Sequence, residues 1–184
     1  MVPVKDIFDK FYKRGSKLRE LLLVHSEAVA AKALDIARLR RLDLDPDHIY
    51  AGAMLHDVGI FYVDAPDIYC NGSKPYIMHG ILGAEMLRAH RQPEWLARIA
   101  ERHTGSGLTA EDIRTQHLPL PEKDFLPETL LEKLICYADK FFSKTSLDTE
   151  KDIDRVRASM KKFGPGAMQR FEDLHALFTS DQQS

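Results

Sequence analysis

No stretch of this sequence is apolar for long enough to span a bilayer, which argues against a membrane-spanning role. The first residues are no richer: Lys5, Asp6, Asp9 and Lys10 interrupt the apolar positions, so no signal-peptide core is expected there. Cysteine is scarce. Cys70 and Cys136 are the only two and form no CxxC, and without a secretory segment the expectation is a pair of reduced thiols in a cytoplasmic protein. Neither sign of charge dominates. The formal charge is −2, with acidic and basic residues mixed throughout, so there is no electrostatic footprint for duplex nucleic acid or an anionic membrane. A small phosphorylated substrate would need only a local positive patch. No internal repeat is present.

What the chain does have is an ordinary globular composition, 44% hydrophobic and 29% charged over 184 residues, enough for one domain with a substantial core. Helical periodicity dominates, so the expected class is all-α. Residues 1–15 hold a short amphipathic helix that ends near Gly15. From Ser16 a long helix carries Leu18, Leu21, Leu22, His25, Val29 and Ile36 at three- and four-residue steps, with His25 on its buried face. Asp45-Pro46 is a cap followed by a preorganised first helical residue, opening a helix that reaches His56-Asp57 with Gly59 as its stop. Gly52 and Ala53, one turn earlier, invite a close helix neighbour.

Residues 61–75 lack a sustained period and read as an irregular loop of the kind that lids a site. Helices over 77–90 and from Pro93 to His103 follow, the second closed by Gly105. A further irregular region contains the cap Thr109-Ala110-Glu111-Asp112. Residues 127–142 form a strongly apolar helix that nevertheless carries Asp139. Residues 146–184 give two amphipathic helices broken at Gly164-Pro165-Gly166, expected to complete the bundle or to form a homodimer contact.

Against this apolar pattern six polar residues stand out: His25, His56, Asp57, His79, His103 and Asp139. Any one histidine is readily explained as a core residue bonded to a backbone carbonyl, His79 as a helix-start hydrogen bonder, and Asp139 as a partner of Lys140 or Lys144. The set on five helices is harder to explain that way, because a buried carboxylate must be paired, hydrogen-bonded or metal-bound. Imidazole and carboxylate donors converging from separate helices suit a divalent metal ion.

The ordered set resembles the HD-domain superfamily of metal-dependent phosphohydrolases, in its two-metal subgroup. Val24-His25-Ser26 is similar to the family's first histidine and Leu55-His56-Asp57-Val58-Gly59 to its signature pair. His79-Gly80 and Arg102-His103-Thr104-Gly105 resemble the extra histidines of binuclear members, and Tyr137-Ala138-Asp139-Lys140 the last aspartate. The resemblance covers residues 16–145 and implies an HD-domain helical bundle with a C-terminal helical extension. It further implies one metal on His25, His56, Asp57 and Asp139 and a second on His79 and His103 with Asp57 bridging, iron or manganese before zinc, nickel, cobalt or magnesium. Among small relatives the chain looks like bacterial diadenosine tetraphosphate hydrolases of the YqeK type and, more closely, little-characterised archaeal and bacterial HDIG proteins.

That family implies hydrolysis of a small phosphorylated molecule, a nucleotide first, by a metal-bridging hydroxide, with His56, Asp57 and Lys140 at the chemical step. One departure is informative. Many members carry lysine directly after the signature, where it binds phosphate; here Ile60 and Phe61 follow. Lys74, Arg98, Arg102 or Lys140 would have to supply the charge, Lys140 being alternatively a lysine in a surface ion pair. If none does, a mixed-valent di-iron oxygenase using the same ligands is the competing activity, with a non-catalytic nucleotide or metal sensor a third.

Overall fold

Side-chain caps decide where most of the helices begin. Ser16 Oγ accepts from Arg19 N, Asp45 from Asp47 N, Thr129 from Glu132 N and Asp152 from Arg155 N, while Thr109 and Asp112 form a reciprocal capping box. Each such cap contributes about 1 kcal/mol by satisfying amides that have no partner inside the helix. The computed structural model describes residues 2–147 and 149–180. Among them the helices are α1 (Val4–Phe11), α2 (Lys17–Leu39), α3 (Pro46–Leu55), α4 (His79–Ala89), α5 (Glu94–Arg102), α6 (Ala110–Thr115), α7 (Leu130–Asp139), α8 (Ile153–Lys161) and α9 (Pro165–Thr179). The protein is all-α. Among the described residues its one sheet is an antiparallel pair of two-residue strands, β1 (Asp64–Ala65) and β2 (Cys70–Asn71), and no helix is long and apolar enough to cross a membrane.

Several boundaries differ from those expected. Thr129 caps α7, so that helix starts at Leu130 rather than near Pro127, and it ends at Asp139, short of Phe142. The stretch read as an irregular loop is a succession of 3₁₀ turns around the β1–β2 hairpin. Gly59 does not terminate α3. The helix ends at Leu55, and Gly59 lies inside a 3₁₀ segment, Val58–Tyr62, anchored by Tyr12 Oη donating to Val58 O at 2.6 Å.

Gly59 is there because there is no room for a side chain. A Cβ on it would stand 2.0 Å from His79 O and 2.3 Å from Gly83 N, so the segment after the His-Asp pair lies backbone to backbone on α4. Gly80 plays the same part between α4 and α5, where a Cβ would be 2.8 Å from Ala100 O. Gly52 lets α3 meet Ile99 of α5 and Ile135 of α7, as the small residues there suggested.

The core falls into two apolar clusters, one around Phe8, Leu22, Leu55 and Leu87, the other around Val29, Ile49, Ile99, Ile135 and Phe171. Helices α2, α3 and α5 contribute to both. His25 lies on α2 between Leu22 of the first and Val29 of the second, so the polar residues occupy the seam where the clusters meet.

Gly59→Ala is expected to cost about 1–3 kcal/mol or more through overpacking against main-chain atoms that cannot yield, lowering Tm by roughly 3–10 °C. Gly166→Ala is the control. Its Cβ would meet only the flexible Arg170 guanidinium, at 3.3 Å, within α9, so thermal unfolding should show no loss of stability.

Candidate metal centre

Six side chains reach the seam from different elements. His25 comes from the middle of α2, His56 from the C-cap of α3, Asp57 from the residue after it, His79 from the first position of α4, His103 from the C-cap of α5 and Asp139 from the last position of α7. All six are buried, His56 and Asp57 completely.

Asp57 is central. Its Oδ2 lies 2.9 Å from His56 Nε2 and 3.1 Å from His25 Nε2, and those two nitrogens are 3.4 and 3.1 Å from Asp139 Oδ1. Its Oδ1 turns the other way, 3.4 Å from His79 Nε2 and 3.3 Å from His103 Nε2, which are themselves 3.0 Å apart. Two donor groups result, His25/His56/Asp57/Asp139 and Asp57/His79/His103, sharing one carboxylate. Donors about 2.1 Å from a common cation stand roughly 3.0–3.4 Å apart in octahedral or tetrahedral arrangements, so the spacing suits a metal.

The hydrogen bonding points the same way. Nδ1 of His56, His79 and His103 lies 2.6, 2.7 and 2.8 Å from the carbonyl oxygens of Ala53, Tyr76 and Ala100, three residues earlier in each case. A carbonyl only accepts, so each Nδ1 carries the hydrogen, and in the neutral ring Nε2 presents a lone pair inward. His79 and His103 thus face each other as two acceptors, a contact that a cation would relieve. His25 Nε2, His56 Nε2 and both Asp57 oxygens are buried without a hydrogen bond of acceptable geometry. Buried polar atoms seldom stay unpaired. His25 is therefore not a core histidine tied to a carbonyl, since its Nδ1 has no partner either.

Electrostatics divide the centre into two poles. Burial opposes the charge of Asp57, yet His56 and Lys144 hold its carboxyl well below the usual range; for Asp139 burial is likewise outweighed, by Lys140 and His25. Burial also depresses His56, but Asp57 and Asp139 overcome it and raise the imidazole to about 9. At the other pole burial, then His103, pushes His79 down to about 3, and burial lowers His103. His79 and His103 are thus neutral, as a ligand must be. At His56 the surplus negative charge draws in a proton or, in its place, a metal cation.

A cavity of about 600 Å³ opens beside these residues, with His79, His103 and Asp139 in its wall and Lys140, Lys144 and Lys151 around them. Lys140 is no surface residue: it is buried, its Nζ 2.7 Å from Asp139 Oδ2 and donating to His103 O at 3.1 Å. Lys144, suggested by its sequence position only as an ion-pair partner for Asp139, has its Nζ 2.5 Å from Asp57 Oδ2. Lys74, Arg98 and Arg102 are not in the cavity wall. Lys74 is exposed on the hairpin, its carbonyl accepting from Asp64 N. Arg98 and Arg102 are taken up by Glu128 and Glu132, with Arg102 also donating to Leu126 O, and so strap α5 to α7. The C-terminal helices and the turn between them, for which no chemistry was expected, supply the far wall through Ser159, Met160, Phe163 and Ala167.

The HD domain family model matches residues 22–143. An uncharacterized protein of Methanocaldococcus jannaschii is 35% identical over 161 residues, 84% of each chain. The tRNA (cytidine(56)-2'-O)-methyltransferase of Picrophilus torridus is 36% identical over 134 residues, 73% of this chain and 35% of that one. Its counterpart in Thermoplasma volcanium is 29% identical over 173 residues, 94% of this chain and 45% of that one. The chain therefore spans less than half the length of either methyltransferase. Among solved structures, the HD domain of the L. monocytogenes phosphodiesterase PgpH, in complex with cyclic-di-AMP, superposes with a TM-score of 0.54 over 100% of this chain and 99% of that one. At 16% identity that likeness concerns the fold. The family match runs from just before His25 to just past Asp139, and on that ground the chain belongs to the HD-domain family of metal-dependent phosphohydrolases.

Proposed function

We propose that this chain hydrolyses a phosphomonoester, phosphodiester or phosphoanhydride bond in a small molecule, most simply a nucleotide, with His25, His56, Asp57 and Asp139 holding one metal ion and Asp57, His79 and His103 a second. The observation that carries the reading is the sharing of Asp57 by two donor groups at the edge of a cavity that three lysines line. Bound ions at such a pair of sites supply Lewis acidity and a water of lowered pKa. An all-imidazole and carboxylate donor set, with no thiolate, suits iron or manganese.

The chain's own residues do the rest. The carbonyls of Ala53, Tyr76 and Ala100 fix three imidazoles in one tautomer. Lys140 orients Asp139 and the carbonyl of His103 together. Ile68, Leu108, Phe142 and Met160 give the cavity an apolar lining that excludes water and offers a surface for a base or similar group. The oxygenase reading drew on the missing lysine after Gly59, and cationic side chains reaching the cavity from another part of the chain favour the hydrolase instead. The phosphodiesterase of like fold was solved with a cyclic dinucleotide, which supports nucleotides as the first class to test. Methyl transfer is not assigned to this segment, because the relatives so named are more than twice as long as the parts that match it.

Elemental analysis after anaerobic loading should find two transition-metal ions per chain. At a metal concentration a hundredfold above Kd, loading should add about 2.7 kcal/mol, raising Tm by roughly 5–10 °C. One ion per chain, or no thermal shift, would refute the shared-carboxylate assignment.

Loaded protein should release phosphate or a nucleoside phosphate from some member of a nucleotide and phosphoester panel. His56→Ala and Asp57→Ala should each cut that turnover more than about a hundredfold while circular dichroism stays helical. Oxygen consumption without phosphate release would favour the oxygenase.

A further inference from the structure

Lys144 lies one residue beyond the segment that matches the family model, and nothing in the signature motifs assigns it a task. It follows α7 in a short turn. Ser146 N donates to Ser143 O at 3.3 Å, and the hydroxyls of Ser143 and Thr145 are 2.9 Å apart. That turn sends the Lys144 side chain inward, where only 11% of it stays exposed, and lines the cavity with Ser143 and Thr145 on either side.

The three cavity lysines differ in what their ammonium groups are tied to. An ammonium group has three N–H donors. Lys140 commits two, to Asp139 Oδ2 and His103 O. Lys151 donates to the carbonyls of Lys140 and Phe142, both at 3.4 Å, and so closes the turn. Lys144 meets side chains instead, one carboxylate oxygen, Asp57 Oδ2, and the hydroxyl of Tyr76. Moreover, that oxygen belongs to the carboxylate both donor groups share. A metal ion drawing on Asp57 takes from Lys144 the charge that compensates it, and a buried ammonium short of a counter-charge is costly. An anion at the same place restores the balance.

We propose that Lys144 is the phosphate-binding cation of this site, supplying from the turn after α7 the charge that Ile60 and Phe61 do not provide after Gly59. The assignment rests on the phosphohydrolase reading. Lys144 holds a non-bridging oxygen of the substrate's phosphoryl group against the shared carboxylate, and Ser143 and Thr145 stand ready to donate to the same group. Its neighbour Lys140, tied to Asp139, is a positioning residue.

The test uses the full chain loaded with manganese, with inorganic phosphate as the probe in isothermal titration calorimetry. Lys144→Met and Lys144→Gln should retain both ions by elemental analysis yet bind phosphate at least tenfold more weakly, and Lys144→Arg should recover most of the affinity. With the best phosphoester of the panel, the neutral variants should raise KM, and should lower kcat as well if the contact tightens in the transition state. Phosphate affinity within twofold of wild type in Lys144→Met and Lys144→Gln would overturn the assignment and leave the phosphohydrolase reading standing. So would loss of the ions or of the fold in both variants, which would make Lys144 a structural counter-ion of Asp57. Wild-type protein that neither binds phosphate nor releases it from any substrate would overturn both readings.

Discussion

A carboxylate with no exposed surface sits at the middle of this molecule, and the arrangement of the helices answers to it. Leaving Asp57 ionised and unpartnered in the interior would cost several kcal/mol. Its charge is compensated by His56, at the end of α3, and Lys144, in the turn after α7, while His25, His79 and His103 bring ring nitrogens within 3.4 Å of it from α2, the start of α4 and the end of α5. None of these elements can move far without stranding the charge or breaking up the donor groups that share it. Stability and site geometry are therefore one constraint, and the close backbone approaches at Gly59 and Gly80 are what allow α4 and α5 to satisfy it.

Helix ends explain why the histidines sit where they do. The last carbonyls of a helix have no partner in the ladder, so a C-cap histidine can donate from Nδ1 to the carbonyl three residues back and turn Nε2 outward from the helix. His56 on Ala53 and His103 on Ala100 are two instances of one local structure, and His79 repeats it on Tyr76 at the end of a 3₁₀ turn. His25 shows the contrast. In the middle of α2 the nearby carbonyls are already used by the ladder, and its Nδ1 has no partner. Three of the four imidazoles are thus oriented by the same short-range bond, whatever the rest of the fold does.

These local rules are why so much was legible in the sequence. Capping residues and apolar periods located the helices, and polar residues in otherwise apolar stripes located the six that converge on the seam. What needed the third dimension was longer-range. Extending α7 to Phe142 hid Lys144: the helix stops at Asp139 and the chain then turns back, which brings a residue five positions later to Asp57. Arg98 and Arg102 looked available because their acidic partners lie about 30 residues away, on and just before α7. Gly59 looked like a helix stop because glycine often is one, whereas here it marks a crossing with α4 that no local pattern encodes. The tail read as completing the bundle or forming a dimer contact because its contribution to the cavity comes from Ser159, Met160 and Ala167, residue types that carry no signature.

Helix α7 joins that tail to the centre. Successive residues on a helix are turned by about 100°, so Tyr137 and Asp139 point to nearly opposite sides. Asp139 faces the histidines, while Tyr137 faces α9, its hydroxyl 2.8 Å from His175 Nδ1 and its ring among those of Phe171 and Phe178. Ser106, in the loop after His103, donates to Ala167 O at 2.7 Å and ties that loop to α9 as well. The far wall of the cavity is consequently tied to the ends of the two helices that carry Asp139 and His103. Under the proposed hydrolysis, a substrate's organic part at the wall and its reacting group at the centre would meet elements tied by these contacts, which is the condition for binding energy gained at the wall to be used in aligning bonds at the centre.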